Sequence, residues 1–261
     1  MSQLRSFAIV VALSGTFAVT PNISVAQTTQ ANRTPVLVEL FTSEGCSSCP
    51  PADALLAKLE QEQPVNGAEI IVLGEHVDYW DKEGWLDRFS SHEYTFRQTE
   101  YGERLKVEDV YTPQMIVDGT TQFTGNDASH ALKAIQHAAL DPKIQLTVSR
   151  PVVDGHKVSA SVSAPAAPTT KTQADIYVAL VDPKDTTDVR SGENGGRHLQ
   201  HVAVVRSLRR VGDLKHLDAG PVSFTINAPG DAKPSEMRLV VFAQQKGPGA
   251  VVGAVSTPVT P

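Results

Sequence analysis

The chain has 261 residues, 23 Lys and Arg against 29 Asp and Glu, a formal net charge of −6 and only two cysteines. Residues 1–26 carry one charged side chain, Arg5, so the remainder stands near −7. A mildly acidic chain argues against nucleic acid, whose affinity rests on clustered Lys and Arg that neutralise phosphates; the one basic cluster, Arg206, Arg209 and Arg210, reads as a solvated face.

The chain opens with Arg5, continues through the apolar stretch Phe7 to Val19 and reaches Ser24-Val25-Ala26. A short basic start, an apolar run below the roughly 20 residues of a spanning helix, and small residues before a cut describe a secretory signal peptide over 1–26. An uncleaved anchor is the alternative. The expectation is a periplasmic or secreted protein with no membrane span after cleavage, long enough for one large or two small domains.

From 34 to 141 strand-like and helix-like stretches alternate. Val36 to Phe41 is a short apolar run of the kind found in strands buried on both faces. Ala54, Leu55, Leu56 and Leu59 have helical spacing, ending before Pro64. Glu69 to Gly74 is a second buried strand, and Trp80 to Lys106 holds one or two helices. Gln114 to Val117 runs into Asp118-Gly119, a hairpin turn signal. Ala131, Leu132, Ile135 and Ala138 line one face of a helix over Ala128 to Ala139. The alternation predicts an α/β fold with a mixed sheet covered by helices.

After Asp141-Pro142 the pattern changes to period 2, in Ile144 to Val148 and Lys157 to Ser163. Ile176 to Val181, Leu199 to Val205, Val222 to Ile226 and Leu239 to Ala243 add strands, separated by turns at Asp154-Gly155, Asn194-Gly195-Gly196 and Pro229-Gly230. Residues 143–261 are therefore expected to form a smaller antiparallel β-sandwich-like domain. Ala164 to Thr170, the one low-complexity stretch, reads as a surface loop. His198 and His201 fall on opposite faces of their strand and read as surface residues.

The two cysteines stand three apart, Cys46-Ser47-Ser48-Cys49, between the first strand and the first helix. This spacing lets one thiolate attack a disulfide and the other resolve the mixed disulfide. An exported protein that uses cysteine for stability commonly has several bridges, and closing so short a loop stabilises little through chain entropy. A functional dithiol is favoured over a staple. Because Pro50-Pro51 follow at once, and proline fits best in a helix's first turn, the regular helix should begin near Pro51 with Cys46 about one turn outside it.

Strand, Cys-x-x-Cys, helix, strand, helical segment, Thr112-Pro113, strand, turn, strand and helix is an order that resembles the thioredoxin superfamily. The resemblance implies that Pro113 is cis and lies beside the dithiol, with Thr112 offering backbone groups to a substrate. More narrowly, Val38 to Asp53, His76 to Asp81 and Gly192 to Arg197 resemble a secreted bacterial family, domain-of-unknown-function family 1223, a likeness that supplies a fold and no established activity.

Under that resemblance Cys46 is the attacking thiol and Cys49 the resolver. Glu39, an acid within an apolar strand, stands where thioredoxins place a buried acid that relays a proton; a structural bond or an outward-facing position is the alternative. His76 and Asp78 end the strand beside the one feeding the dithiol, so His76 is a candidate base or counter-cation, or else a residue that holds the loop. The reading is a thiol–disulfide exchange protein without a cofactor, acting with a protein or small-molecule thiol or disulfide and a separate redox partner. Two others stand beside it: a Cu(I) or Zn(II) carrier using Cys46, Cys49 and His76, and a non-catalytic binding module with a locked disulfide.

Overall fold

The structure, a computed structural model, describes residues 33–165 and 173–260. The expected signal peptide over 1–26 and most of the low-complexity stretch lie outside the described residues. The first half contains β1 (Thr34–Thr42), α1 (Pro50–Glu62), β2 (Ala68–His76), α2 (His92–Leu105), β3 (Gln114–Val117), β4 (Thr121–Thr124) and α3 (Ala128–Ala138). In the β3–β4 turn both Asp118 and Gly119 have positive φ, 48° and 67°, a conformation these two residues tolerate. The second half contains β5 (Thr147–Val148), β6 (Val152–Asp154), β7 (Lys157–Ser163), β8 (Ala174–Asp188), β9 (His198–Asp213), β10 (Val222–Asn227), β11 (Arg238–Gln245) and β12 (Val251–Pro258).

One sheet crosses the boundary between the halves. Its order is β12-β11-β8-β9-β2-β1-β3-β4, with β1 parallel to β2 and antiparallel to β3. The described residues group as one compact unit. The C-terminal strands pair antiparallel with one another, and four of them continue the N-terminal sheet, where β9 meets β2 in parallel at Val204 and Gly74. The others make a small second sheet, in which β7 pairs with β5, β6 and β10. Val158, Val162, Phe224 and Ile226 of that sheet pack on Ile176, Val178, Leu239 and Val241 of the large one.

Alternation along β1 assigns the two faces. Val36, Val38 and Leu40 pack with Leu56 and Leu59 of α1 and Ile135 of α3. Leu37 and Phe41 face the other way, among residues that include Tyr94 and Tyr101 of α2. The dithiol helix and α2 therefore lie on opposite faces.

β8 and β9 are long strands of 15 and 16 residues, with shifts of register between Ile176 and Tyr177 and between Leu180 and Val181. Their ladder is interrupted where Pro183, which has no N–H, lies opposite Ala203, whose φ is +48°. Beyond this point the pair forms an arm, Asp182–Asp188 with 198–204, that passes over α1: Val202 and Ala203 pack with Ala52, Leu56 and Leu59. Its tip, residues 189–197, reaches the loop between β1 and α1.

Candidate functional site

The loop that leaves β1 tightens through Cys46 N–H to Ser43 C=O at 3.2 Å and Cys49 N–H to Cys46 C=O at 3.2 Å. Cys46 and Cys49 are disulfide-bonded, with their Cα atoms 5.4 Å apart. Helix α1 begins at Pro50 with Cys49 as its N-cap, so Cys46 stands three residues outside the helix. Both cysteines are 0% exposed while Ser47 and Ser48 are open to solvent.

Thr112-Pro113 is a cis peptide bond, and it lies against the dithiol loop. Ser48 Oγ stands 3.3 Å from Cys46 Sγ and donates to the Thr112 carbonyl at 3.5 Å. Trp80 Nε1 donates to Thr112 Oγ1 at 2.7 Å. Gly125 makes the approach possible: a Cβ there would fall 2.7 Å from Leu40, 3.0 Å from Pro113 and 3.1 Å from Ala52.

Glu39 is buried on the α2 face, away from the dithiol helix. Its carboxylate accepts from Arg97 Nε at 2.8 Å and from the Tyr101 hydroxyl at 2.5 Å. Arg97 also bonds Gln244 of β11 at 3.0 Å and lies 3.6 Å from Glu75. Of the roles weighed for Glu39, this geometry supplies the structural bond.

His76 is buried at the C-terminal end of β2, and its Nδ1 meets Asp87 Oδ2 at 2.7 Å. Burial works against the imidazolium, but the Asp87 carboxylate, joined by Asp53 and Glu44, outweighs it and holds the His76 pKa above its ordinary value. Burial likewise opposes the Asp87 charge, yet His76 and the N–H groups of Glu44 and Phe89 hold its pKa below the usual carboxylate range.

Around this pair lies a polar cluster that the sequence does not announce. Glu44, in the dithiol loop, donates its N–H to Asp87 at 2.9 Å and accepts from Trp85 Nε1 at 2.7 Å. Its other carboxylate oxygen is 3.5 Å from His201 Nε2, and His201 Nδ1 is 3.8 Å from Asp53 Oδ2. Asp53 stands one turn after Cys49 on α1 and accepts from Thr42 Oγ1 at 2.9 Å; burial raises its pKa. His201 is a correction to the sequence reading: it is 3% exposed, because the arm turns its inner face onto α1, whereas His198 is exposed. Arg206 is another, its side chain held between Asp182 and Asp231 rather than free on a solvated face.

The arm's tip completes the site. Asn194, 0% exposed, donates from Nδ2 to the carbonyls of Glu44 at 2.8 Å and Cys46 at 2.9 Å. Glu193 accepts from the N–H of Ser47 at 3.0 Å. Gly192 is needed here, since its φ is +73° and a Cβ would meet Trp85 at 3.2 Å. Asn194-Gly195-Gly196 is a turn, as the sequence suggests. Among the described residues no three His, Cys, Asp or Glu side chains are placed to hold a metal ion, the trio Cys46, Cys49 and His76 included, and no helix is long and apolar enough to cross a membrane.

A family model described as "Protein of unknown function (DUF1223)" matches residues 37–244. The chain belongs to the DUF1223 family. A crystallised protein from Agrobacterium tumefaciens is 31% identical over 87% of this chain and 96% of its own, with a TM-score of 0.65. A domain of the outer membrane lipoprotein Omp28 from Porphyromonas gingivalis is 14% identical over 46% of this chain and 90% of its own, at a TM-score of 0.32 that carries no argument. No curated protein matches the chain. DUF1223 membership thus supplies a shared sequence pattern, and the chemistry has to come from the site.

Proposed function

We propose that this chain is an exported, thioredoxin-like protein that exchanges disulfides through Cys46 and Cys49. One observation carries the reading: the chain's two cysteines form a disulfide at the N-terminus of α1, against the Thr112-Pro113 bond. In the reaction a partner thiolate attacks Cys46 Sγ, the Cys46–Cys49 bond breaks, and Cys49 leaves as a thiolate that takes up a proton. A second partner thiol, losing its proton, attacks the intermolecular disulfide and frees Cys46. The partner loses two electrons and the protein gains them.

The N-cap position suits the leaving group. The first helical residues are Pro50 and Pro51 and the N–H groups of Ala52 and Asp53 go to the Cys49 carbonyl, so it is the positive end of the helix dipole that favours a thiolate at Cys49, and a better leaving thiolate speeds exchange at the other sulfur. Asp53, on the dithiol face with a raised pKa, is better placed than Glu39 to handle the proton, since Glu39 is committed to Arg97 on the opposite face.

Equilibration against glutathione buffers, followed by exchange with a small protein disulfide, tests this. Cys46→Ser is expected to abolish exchange, and Cys49→Ser to accumulate a mixed disulfide at Cys46. A pair that remains oxidised in every buffer, or a Cys46→Ser protein that still exchanges, overturns the proposal.

A further inference from the structure

The dithiol loop is bound by a part of the chain far away in sequence. The tip of the β8–β9 arm supplies two side chains to the dithiol loop, and both bind the backbone beside Cys46. Asn194 holds the carbonyls of Glu44 and Cys46, and Glu193 holds the N–H of Ser47. The tip is itself fixed: Ser191 Oγ donates to the Gly84 carbonyl at 2.5 Å. Gly196 N–H meets the Val189 carbonyl at 2.7 Å, and Val189 N–H meets the Arg197 carbonyl at 3.0 Å. Between tip and Trp80 the loop is held in a conformation that leaves both cysteines 0% exposed. A thiolate cannot attack a sulfur it cannot touch.

We infer that the tip is a specificity-determining cover, with Asn194 as the residue that positions Cys46, and that it must lift before a thiol reaches the sulfur. Given the exchange chemistry proposed above, this selects for small thiols and thiols on flexible, extended polypeptides and against thiols fixed on a folded surface, because both cysteines are 0% exposed while the tip is in place. The reaction behind the cover is the one already written, with Cys46 Sγ as the attacked atom.

The test follows reduction of the oxidised full chain by dithiothreitol. This reagent supplies both thiols and both electrons and ends as its own cyclic disulfide. The native protein should be reduced far more slowly than the same chain unfolded in guanidinium chloride. Asn194→Ala frees two carbonyls and should accelerate native reduction by about thirtyfold, the weight of two ordinary hydrogen bonds. Glu193 is exposed, so Glu193→Ala leaves the core intact and should give a smaller acceleration, reversed in Glu193→Gln, whose amide oxygen still accepts from Ser47. If Asn194→Ala fails to fold, the Glu193 pair decides alone.

Native reduction as fast as in the unfolded chain, or rates indifferent to the Glu193 substitutions, overturns the cover. The outcome is separable from the function: tip-dependent rates with a potential outside the exchange range would keep the cover and discard the exchange reading.

Discussion

His76 and Asp87 are a buried pair whose worth varies with pH. The folded-state pKa of His76 lies above its ordinary value of 6.5, so its contribution is complete below that pH and disappears as pH rises through the folded value. Asp87 is shifted down from 3.8, so its contribution is present above that value and is lost as pH falls through the folded one. The pair therefore stabilises most between about pH 4 and 6.5. His76→Gln should cost about 1.5–3 kcal/mol at pH 5.5, with a smaller difference from the native protein at pH 8.5; urea unfolding at the two values checks it. A difference that grows with pH would show that His76 is neutral throughout. His76 was legible in the sequence because it ends an apolar strand. Asp87 was not, since it sits in a loop without periodicity, and Glu44 was visible only as a neighbour of the cysteines.

Among the elements, α2 is joined to the sheet by Tyr94, Gln98 and Tyr101 and by the charged side chain of Arg97. Arg97 binds Glu39 of β1 and Gln244 of β11, and stands near Glu75 of β2, so it links strands from both halves. Burial, followed by the proximity of Glu39, pushes the Glu75 pKa well above its ordinary value, and Arg97 is the cation these two carboxylates share. Arg97→Met should destabilise by about 3–5 kcal/mol, the cost of leaving a buried charge without its partner, measured by urea unfolding at neutral pH. A loss below about 1 kcal/mol, the scale of an exposed pair, would contradict this role. The apolar runs and turn residues made β1, α1, β2, β3 and α3 readable. The extension of β8 was not, because Asp182-Pro183-Lys184-Asp185 has the composition of a turn. Nor was β12, where Gly253 replaces a packing side chain so that the strand can pass the Ile144 carbonyl.

At the scale of the molecule, the change of texture after Asp141-Pro142 marks a change from helix-covered to antiparallel strands, and the sheet runs through it. Calorimetry should therefore record a single cooperative unfolding transition for residues 31–261, with calorimetric and van't Hoff enthalpies equal; two separated transitions would show that the halves fold independently. The burial of His201 and the placing of Asn194 depend on this long-range joining, which no local pattern in the sequence encodes.

Pro183 and Ala203 leave a gap in the β8–β9 ladder. From there to the tip the arm works as a ruler, because each residue of strand advances about 3.3 Å and the tip must arrive within hydrogen-bond reach of Cys46. Removing one residue pair would draw Asn194 back by more than the length of the bonds it makes, and would turn the remaining side chains to the opposite face. In this chain a deletion between Asp182 and Val204 should therefore withdraw the tip from Cys46, an outcome that faster reduction of the disulfide by dithiothreitol would report.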